Sequence, residues 1–530
     1  MLKHKRPFNG TFHNGCLEDS VPESLLQFVC MIEHGADIKS QLQHGISKSN
    51  LAISQLLQYN CFERTKKGTQ FHRHSKDRET PFAMYVGMSV FAKTRKRQLV
   101  EMLHENGISV SYDRVLEISA QLGQAVVEQY VEDGVVCPPV LKKHVFTTSA
   151  VDNIDHNPTA TTAHSSFHGT SMSLFQHPSS EYPGEQRERL KLNPDIRVKK
   201  VPELPENYTS VRPAYITKNP NPPTVKSHMI PTPESIKSHM KEEYTWLEEI
   251  SLTETIGDGI NVSWAAHHAA QSRSKPFEVS ITSLMPLIRE QAHSVATMKH
   301  CMDKIRDTVC FLNPGQTPVI AADQPLFALA KQIQWQWPQE YGENKFVIMF
   351  GGLHIEMAAL RSLGTLLEGS GWISAIAEAG VASSGTAQSF LTVSSVTRTR
   401  LAHQITACSL YTLMKEAHRD YCSDCGVSGN SPMSFEDWHQ RQMSVSPPFQ
   451  FWNMVLDMEL TIFLLIRSFR EGDFELYRQA LTELIPKFFA NNNMNYARWL
   501  PIHWQDMMSL DQQHPDVARE FHKGNFVIHK

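Results

Sequence analysis

The sequence predicts a mixed α/β core with an N-terminal helical domain before it and a large C-terminal α-helical array after it. Three observations predict this. Short runs rich in β-branched and aromatic residues recur at 144–151, 167–175, 277–281, 317–322 and 346–350, with helix-period segments between the later ones. Apolar residues spaced three and four apart fill the first 133 residues. From Glu356 to about Arg519 the pattern is helical almost throughout.

Composition sets the bounds. The chain has 530 residues, 41% apolar and 20% charged, which is globular usage and long enough for two or three domains. Nine cysteines without regular spacing do not make a disulfide framework, so reduced thiols are expected. The start, MLKHKRPFNG, carries charge with no apolar run behind it, which argues against a secretory signal. No uninterrupted apolar run reaches the roughly 18 residues of a membrane span, so no membrane partner is expected. Leu460–Ile466 reads as a buried helix. The net charge of −4 means that any nucleic-acid affinity must come from local patches.

In chain order, Leu25, Leu26, Phe28, Val29 and Ile32 predict one helix, and Leu51, Ile53, Leu56 and Leu57 a second. Between Glu63 and Arg97 ten Lys or Arg face three Asp or Glu, ending in Lys93, Arg95, Lys96 and Arg97. This run fits a phosphate-binding surface or a nuclear address, and equally a solvated helix start. Leu99 and Leu103, the turn signal Asn106-Gly107, and Val115, Ile118 and Leu122 give a helix–turn–helix-like pattern, which ordinary helical hairpins share. Eleven of the 29 prolines lie from Pro178 to Pro233, the mark of a linker or surface insertion. The expected divisions are 1–133 helical, 134–177 first strands, 178–243 Pro-rich segment, 244–355 rest of the core and 356–530 helical array.

Carboxylates at strand ends carry the chemical argument. Asp152 and Asp155 follow the 144–151 run, and Asp323 follows 317–322. Acids from neighbouring strands can converge at one sheet edge and hold Mg²⁺ or Mn²⁺ through hard oxygens. The plainer role of such an Asp is to form a turn or cap the next helix, and Pro325 marks a helix's first turn after Asp323. His354 and Glu356 follow the fifth run; a helix-start acid there also suits the macrodipole. Arg398, Arg400 and His403 form a basic cluster suited to phosphates or to acids of the array. Cys422-x-x-Cys425, with His418 and His439 nearby, has zinc-like spacing but only two firmly spaced ligands, and two free thiols in a loop are expected.

Taken in order, Val151-Asp152-Asn153-Ile154-Asp155, Ala322-Asp323-Gln324-Pro325, Gly351-Gly352-Leu353-His354-Ile355-Glu356, Val396-Thr397-Arg398-Thr399-Arg400 and Tyr496-Ala497-Arg498-Trp499-Leu500-Pro501 resemble an uncharacterised transposon-related family of animal genomes. The resemblance covers roughly 95–530. That family is distantly similar to transposases with an RNase H-like core. The resemblance implies Asp152 or Asp155 as first acid, Asp323 as second, and the helices after Glu356 as an insertion before the third. It implies Mg²⁺ or Mn²⁺ as cofactor and DNA as partner; the charge pattern offers Lys93, Arg95, Lys96, Arg97, Arg398 and Arg400 as the contacts, and the basic run and reduced thiols suit the nucleus, with the cytoplasm as the other compartment. Relatives are expected to continue past the point matching Phe526–Lys530, which leaves Glu356 as the acid nearest the core. Two functions stay open: a metal-dependent nuclease or strand-transferase, and a non-catalytic DNA- or protein-binding scaffold. A homo-oligomer also stays open.

Overall fold

The N-terminal helices form where apolar residues recur on one face and polar side chains close the ends. The computed structural model describes residues 15–34, 46–61, 63–64, 71–72, 79–156, 167–187, 190, 200–217, 233–252, 263–271, 277–428 and 431–529. Its first helices are α1 (Glu23–His34), α2 (Lys48–Tyr59), α3 (Pro81–Thr94), α4 (Arg97–Glu105) and α5 (Tyr112–Asp133). Ser47 accepts the Asn50 N–H, and the Ser47 N–H donates back to the Asn50 side chain, so two donors at the start of α2 are satisfied. Pro81 opens α3, where a missing N–H costs nothing. Leu25, Leu26 and Val29 pack with Leu51. Tyr59, Met84, Val100, Val115 and Ile118 form a second cluster, which draws α3, α4 and α5 together. Residues Met1–Pro139 and Arg187–Ser210 make one compact unit. Arg187 ties its later segment to the end of α5 through Asp133 at 2.5 Å.

The second unit comprises Val140–Gln186 and Val211–Lys530. Its centre is a five-stranded sheet: β1 (Thr147–His156), β2 (Phe167–Gln176), β3 (Ile281–Leu284), β4 (Val319–Ala322) and β5 (Val347–Phe350). The order across the sheet is β3-β2-β1-β4-β5. The β1–β2 and β2–β3 pairs are antiparallel, while β1–β4 and β4–β5 are parallel. Strands β4 and β5 are almost continuously buried, as parallel strands covered on both faces must be. Helix α6 (Pro233–Ser251) and helix α7 (Trp264–Gln271) precede β3, α8 (Val295–Leu312) precedes β4, and α9 (Gln324–Gln336) joins β4 to β5. Thus the mixed α/β class read from the sequence is the class observed.

After β5 come α10 (Gly352–Leu367), α11 (Trp372–Glu378), α12 (Ser384–Leu391), α13 (Val396–Val427), α14 (Phe435–Val445), α15 (Pro447–Glu471), α16 (Phe474–Ala490), α17 (Met494–Met508) and α18 (Pro515–His522). Helix α15 is the one described helix long and apolar enough to cross a membrane, yet 61% of its apolar window is buried inside the fold. Gly364 lets α10 approach α12 closely: a Cβ there would lie 2.2 Å from the Leu391 carbonyl oxygen.

Some boundaries differ from those expected. Strand β1 runs to His156, so Asp152 and Asp155 lie within it rather than after it, held in register with Ser171 and His168 of β2. The third strand is Ile281–Leu284 rather than 277–281, because Phe277 leaves the ladder and stacks on His529 at 3.9 Å. The helix between the third and fourth strands begins at Val295, beyond Pro286, with Ser294 as its cap. Cys422 and Cys425 belong to the last turns of α13 rather than to a loop.

Candidate active site at the sheet edge

Strands β4 and β5 end beside the middle of the longer β1. In the parallel register Val151 faces Ala322, and Ala322 faces Phe350. The next residues are Asp152, Asp323 and Gly351, so the topology brings two acids and a helix start to one edge. Asp152 is exposed, and its Oδ1 accepts the Asn153 N–H at 2.8 Å. Asp323 is half-buried, and its Oδ1 accepts the Leu326 N–H at 3.0 Å, capping α9. Both readings of Asp323 are therefore compatible: it caps a helix and stands beside Asp152. Asp155 belongs to β1, but its side chain lies outside the described residues.

Helix α10 starts at the same edge. The Gly351 N–H donates to the Ala322 carbonyl at 2.7 Å, which fixes the helix start against β4. A Cβ on Gly352 would lie 2.3 Å from the Phe469 ring, so only glycine allows α15 this close. Tyr496 of α17 donates its hydroxyl to the His354 carbonyl at 3.0 Å. Burial, with the negative charge of Asp323 adding to it, pushes the Tyr496 phenol up to about 12. It therefore stays a neutral donor beside the acids.

Glu356 is a different kind of acid. Its side chain is 1% exposed, and both its oxygens accept from the Arg400 guanidinium. A fork-to-fork pair of this kind fixes both groups. Arg398 is exposed on α13, with its guanidinium 6.0 Å from the Phe390 ring. His403 is buried against Glu459 at 2.9 Å and stacks on Trp372. Burial holds that imidazole down to about 4 and pushes the Glu459 carboxyl well above the usual range, so neither readily charges alone.

The basic run lies in the other unit. Lys93, Arg95, Lys96 and Arg97 are all exposed at the α3–α4 corner. Arg95 sits 5.2 Å over the Phe91 ring and Arg97 5.2 Å over Tyr112, and these rings meet edge to face. Arg97 also lies 3.7 Å from Glu101. At the end of α13, Cys422 Sγ is 3.6 Å from His418 Nε2, whereas His439 bonds Asn453. Among the described residues no group of three or more His, Cys, Asp and Glu side chains is placed to hold a metal. The described cysteines are unbridged.

Sequence reasoning did not single out Arg470, which lies next to Phe469 and shares the electrostatic surroundings of Arg400 and Glu356. Only the end of an apolar helix marked it. No curated protein and no solved structure matches the chain. A family model described as a domain of unknown function, DUF8702, matches residues 263–425 and 427–530, a span that contains Asp323, Glu356, Arg400 and Arg470. The matched residues make up half of the chain, which therefore belongs to the DUF8702 family.

Proposed function

We propose that the second unit is an RNase H-like core of transposase ancestry that acts on DNA phosphodiesters with a divalent cation. The carrying observation is the parallel register of β1 and β4: Asp152, within β1, and Asp323, just past the end of β4, follow directly on the paired residues Val151 and Ala322. The sheet supports the same reading. Three antiparallel strands followed in sequence by two parallel ones, in the order β3-β2-β1-β4-β5, are compatible with an RNase H-like core, as is a helical array in the place of a transposase insertion.

The donor set suits a hard cation. Each aspartate gives one oxygen to a backbone N–H and keeps further lone pairs for a ligand. Mg²⁺ needs one or two carboxylates, with waters and substrate phosphate completing its shell. Asp152 and Asp323 would hold the ion, which when bound polarises a phosphoryl oxygen and acidifies water. Tyr496, kept neutral, supports the backbone of the helix start beside them. Exposed Lys93, Arg95, Lys96 and Arg97 supply phosphate contacts in the first unit, and in this reading the same run serves as a nuclear address. Purified protein should cleave or nick DNA with Mg²⁺ or Mn²⁺, and Asp323→Asn should abolish it. Equal cleavage by that variant would refute the assignment.

A second reading is a binding protein without cleavage. It is favoured by Glu356, whose two oxygens are taken by Arg400 and which therefore offers no third ligand in this arrangement. Salt-sensitive DNA binding that is unaltered in Asp323→Asn, together with no cleavage by the parent protein, would select this reading.

A further inference from the structure

We infer that Arg470 and Arg400 form a phosphate-binding pair, contributed by the helical array, for the backbone of a bound nucleic acid. The inference rests on the nucleic-acid reading of the sheet edge and adds a ligand contact to it.

Two guanidiniums lie in the electrostatic surroundings of one carboxylate here. Arg400 binds Glu356 with both prongs, and its side chain is still 27% exposed. Arg470 is exposed in the last turn of α15. Among the described residues it has no carboxylate within ion-pair distance. The neighbouring Glu471 lies 3.8 Å from Arg467 instead. Partial burial and then the nearby Arg400 charge both loosen the Arg470 proton, while Glu356 opposes them, which identifies these three as electrostatic neighbours. Two of these three side chains are cations and one is an anion, and the acids nearby, Glu242, Glu243 and Glu471, are engaged by Arg467.

Arg470 is also pre-positioned. Its guanidinium lies 5.0 Å over the ring of Trp264, which is 1% exposed and anchored by donating its Nε1–H to Glu243 at 2.7 Å. A planar cation on a fixed aromatic face keeps its N–H edge for a ligand. Phe469, one residue before, fills the space over Gly352 at the start of α10. The pair therefore belongs to the helix start that also abuts Ala322, the residue before Asp323. A cation in the last turn of a helix is favourable on its own account. That does not explain the second guanidinium, Arg400, in the same electrostatic surroundings.

The test measures binding of a short fluorescent single-stranded oligonucleotide to the full chain in EDTA at several salt concentrations. The parent protein is compared with Arg470→Gln and Arg470→Lys. Arg470→Gln should weaken binding about tenfold and reduce the salt slope by roughly one counterion, while Arg470→Lys keeps most of the affinity. Inorganic phosphate is added as competitor. Competition at millimolar levels in the parent protein but not in Arg470→Gln would show a site for free phosphate as well as for backbone. Displacement by oligonucleotide alone would confine the site to backbone. Matching far-UV spectra and melting temperatures establish folding; Arg400 is left intact because its loss strands buried Glu356. Equal affinity and slope in the parent and Arg470→Gln would overturn the inference. Metal is absent throughout, so failure of cleavage and failure of this pair are read separately, and the Lys93–Arg97 run is common to all three proteins.

Discussion

The packed helices of the second unit and the sheet edge treat charge in opposite ways. Where the array packs on helices that precede it in the chain, charged groups are sealed and matched. Glu243 is wholly buried and receives Arg467 at 2.7 Å, the Trp264 Nε1–H at 2.7 Å and His268 at 3.2 Å. Lys331, 1% exposed, sits between Glu343 and Asp506. At the sheet edge, Asp152 accepts the N–H of the next residue and Asp323 that of the residue three on, and both keep ligand capacity. The difference separates charges that hold the fold from charges open to an outside ligand. Glu356 stands between the two classes: it lies at the edge but is paired as an interior residue is.

The comparison can be broken by substitution. The largest expected effect is in the buried network between α6 and α15. Glu243→Ala leaves Arg467 buried without its closest partner and should cost about 3–5 kcal/mol in urea unfolding. A loss below roughly 1 kcal/mol would show that the network is dispensable.

Acid should also act on the interior. Burial lowers His177 to about 3, His403 to about 4 and His503 to about 3, with His529 adding to the effect at His177 and Lys331 at His503. A folded pKa below the unfolded one means that the unfolded chain binds more protons between the two. Stability should therefore fall as pH drops below about 6.5. Asp506 works the other way: burial raises it to about 6, so its contribution is lost as pH rises from about 4 to about 6. Burial lowers His514 and His529 too and raises Glu459 and Glu471, so five histidines against three acids predict a lower unfolding midpoint at pH 5 than at pH 7, and His177→Gln should reduce the difference. A flat profile would contradict the buried neutral imidazoles.

The edge should respond less in stability. Asp323→Ala removes the α9 cap and should cost about 1 kcal/mol, whereas Asp323→Asn, which can still cap, should cost only a few tenths. Asp152→Asn, at an exposed site, should stay within about 0.5 kcal/mol of the parent. Large losses in either Asn variant would place these acids with the fold-holding charges.

Much of the edge was legible in the sequence because its signals are local. Asp323-Gln324-Pro325 announces a cap and a first turn, and apolar 346–350 followed by two glycines announces a buried strand turning into a helix. The long β1 was harder to see, because Asn153 and His156 are poor strand formers and are held by pairing with β2. The buried network was not legible at all. Glu243 and Arg467 lie 224 positions apart, and no spacing rule links them. The same holds for the sealing of Glu356 by Arg400, 44 positions away, and for Arg470, which reads in sequence as the last turn of an apolar helix.

The most direct measurement is an EPR titration of Mn²⁺ into the parent protein and into an Asp152→Asn, Asp323→Asn double variant. If the neighbouring strand ends jointly hold a cation, the parent binds Mn²⁺ and the folded double variant does not. Unchanged binding in the double variant, or none in the parent, would contradict a metal centre built from these two aspartates.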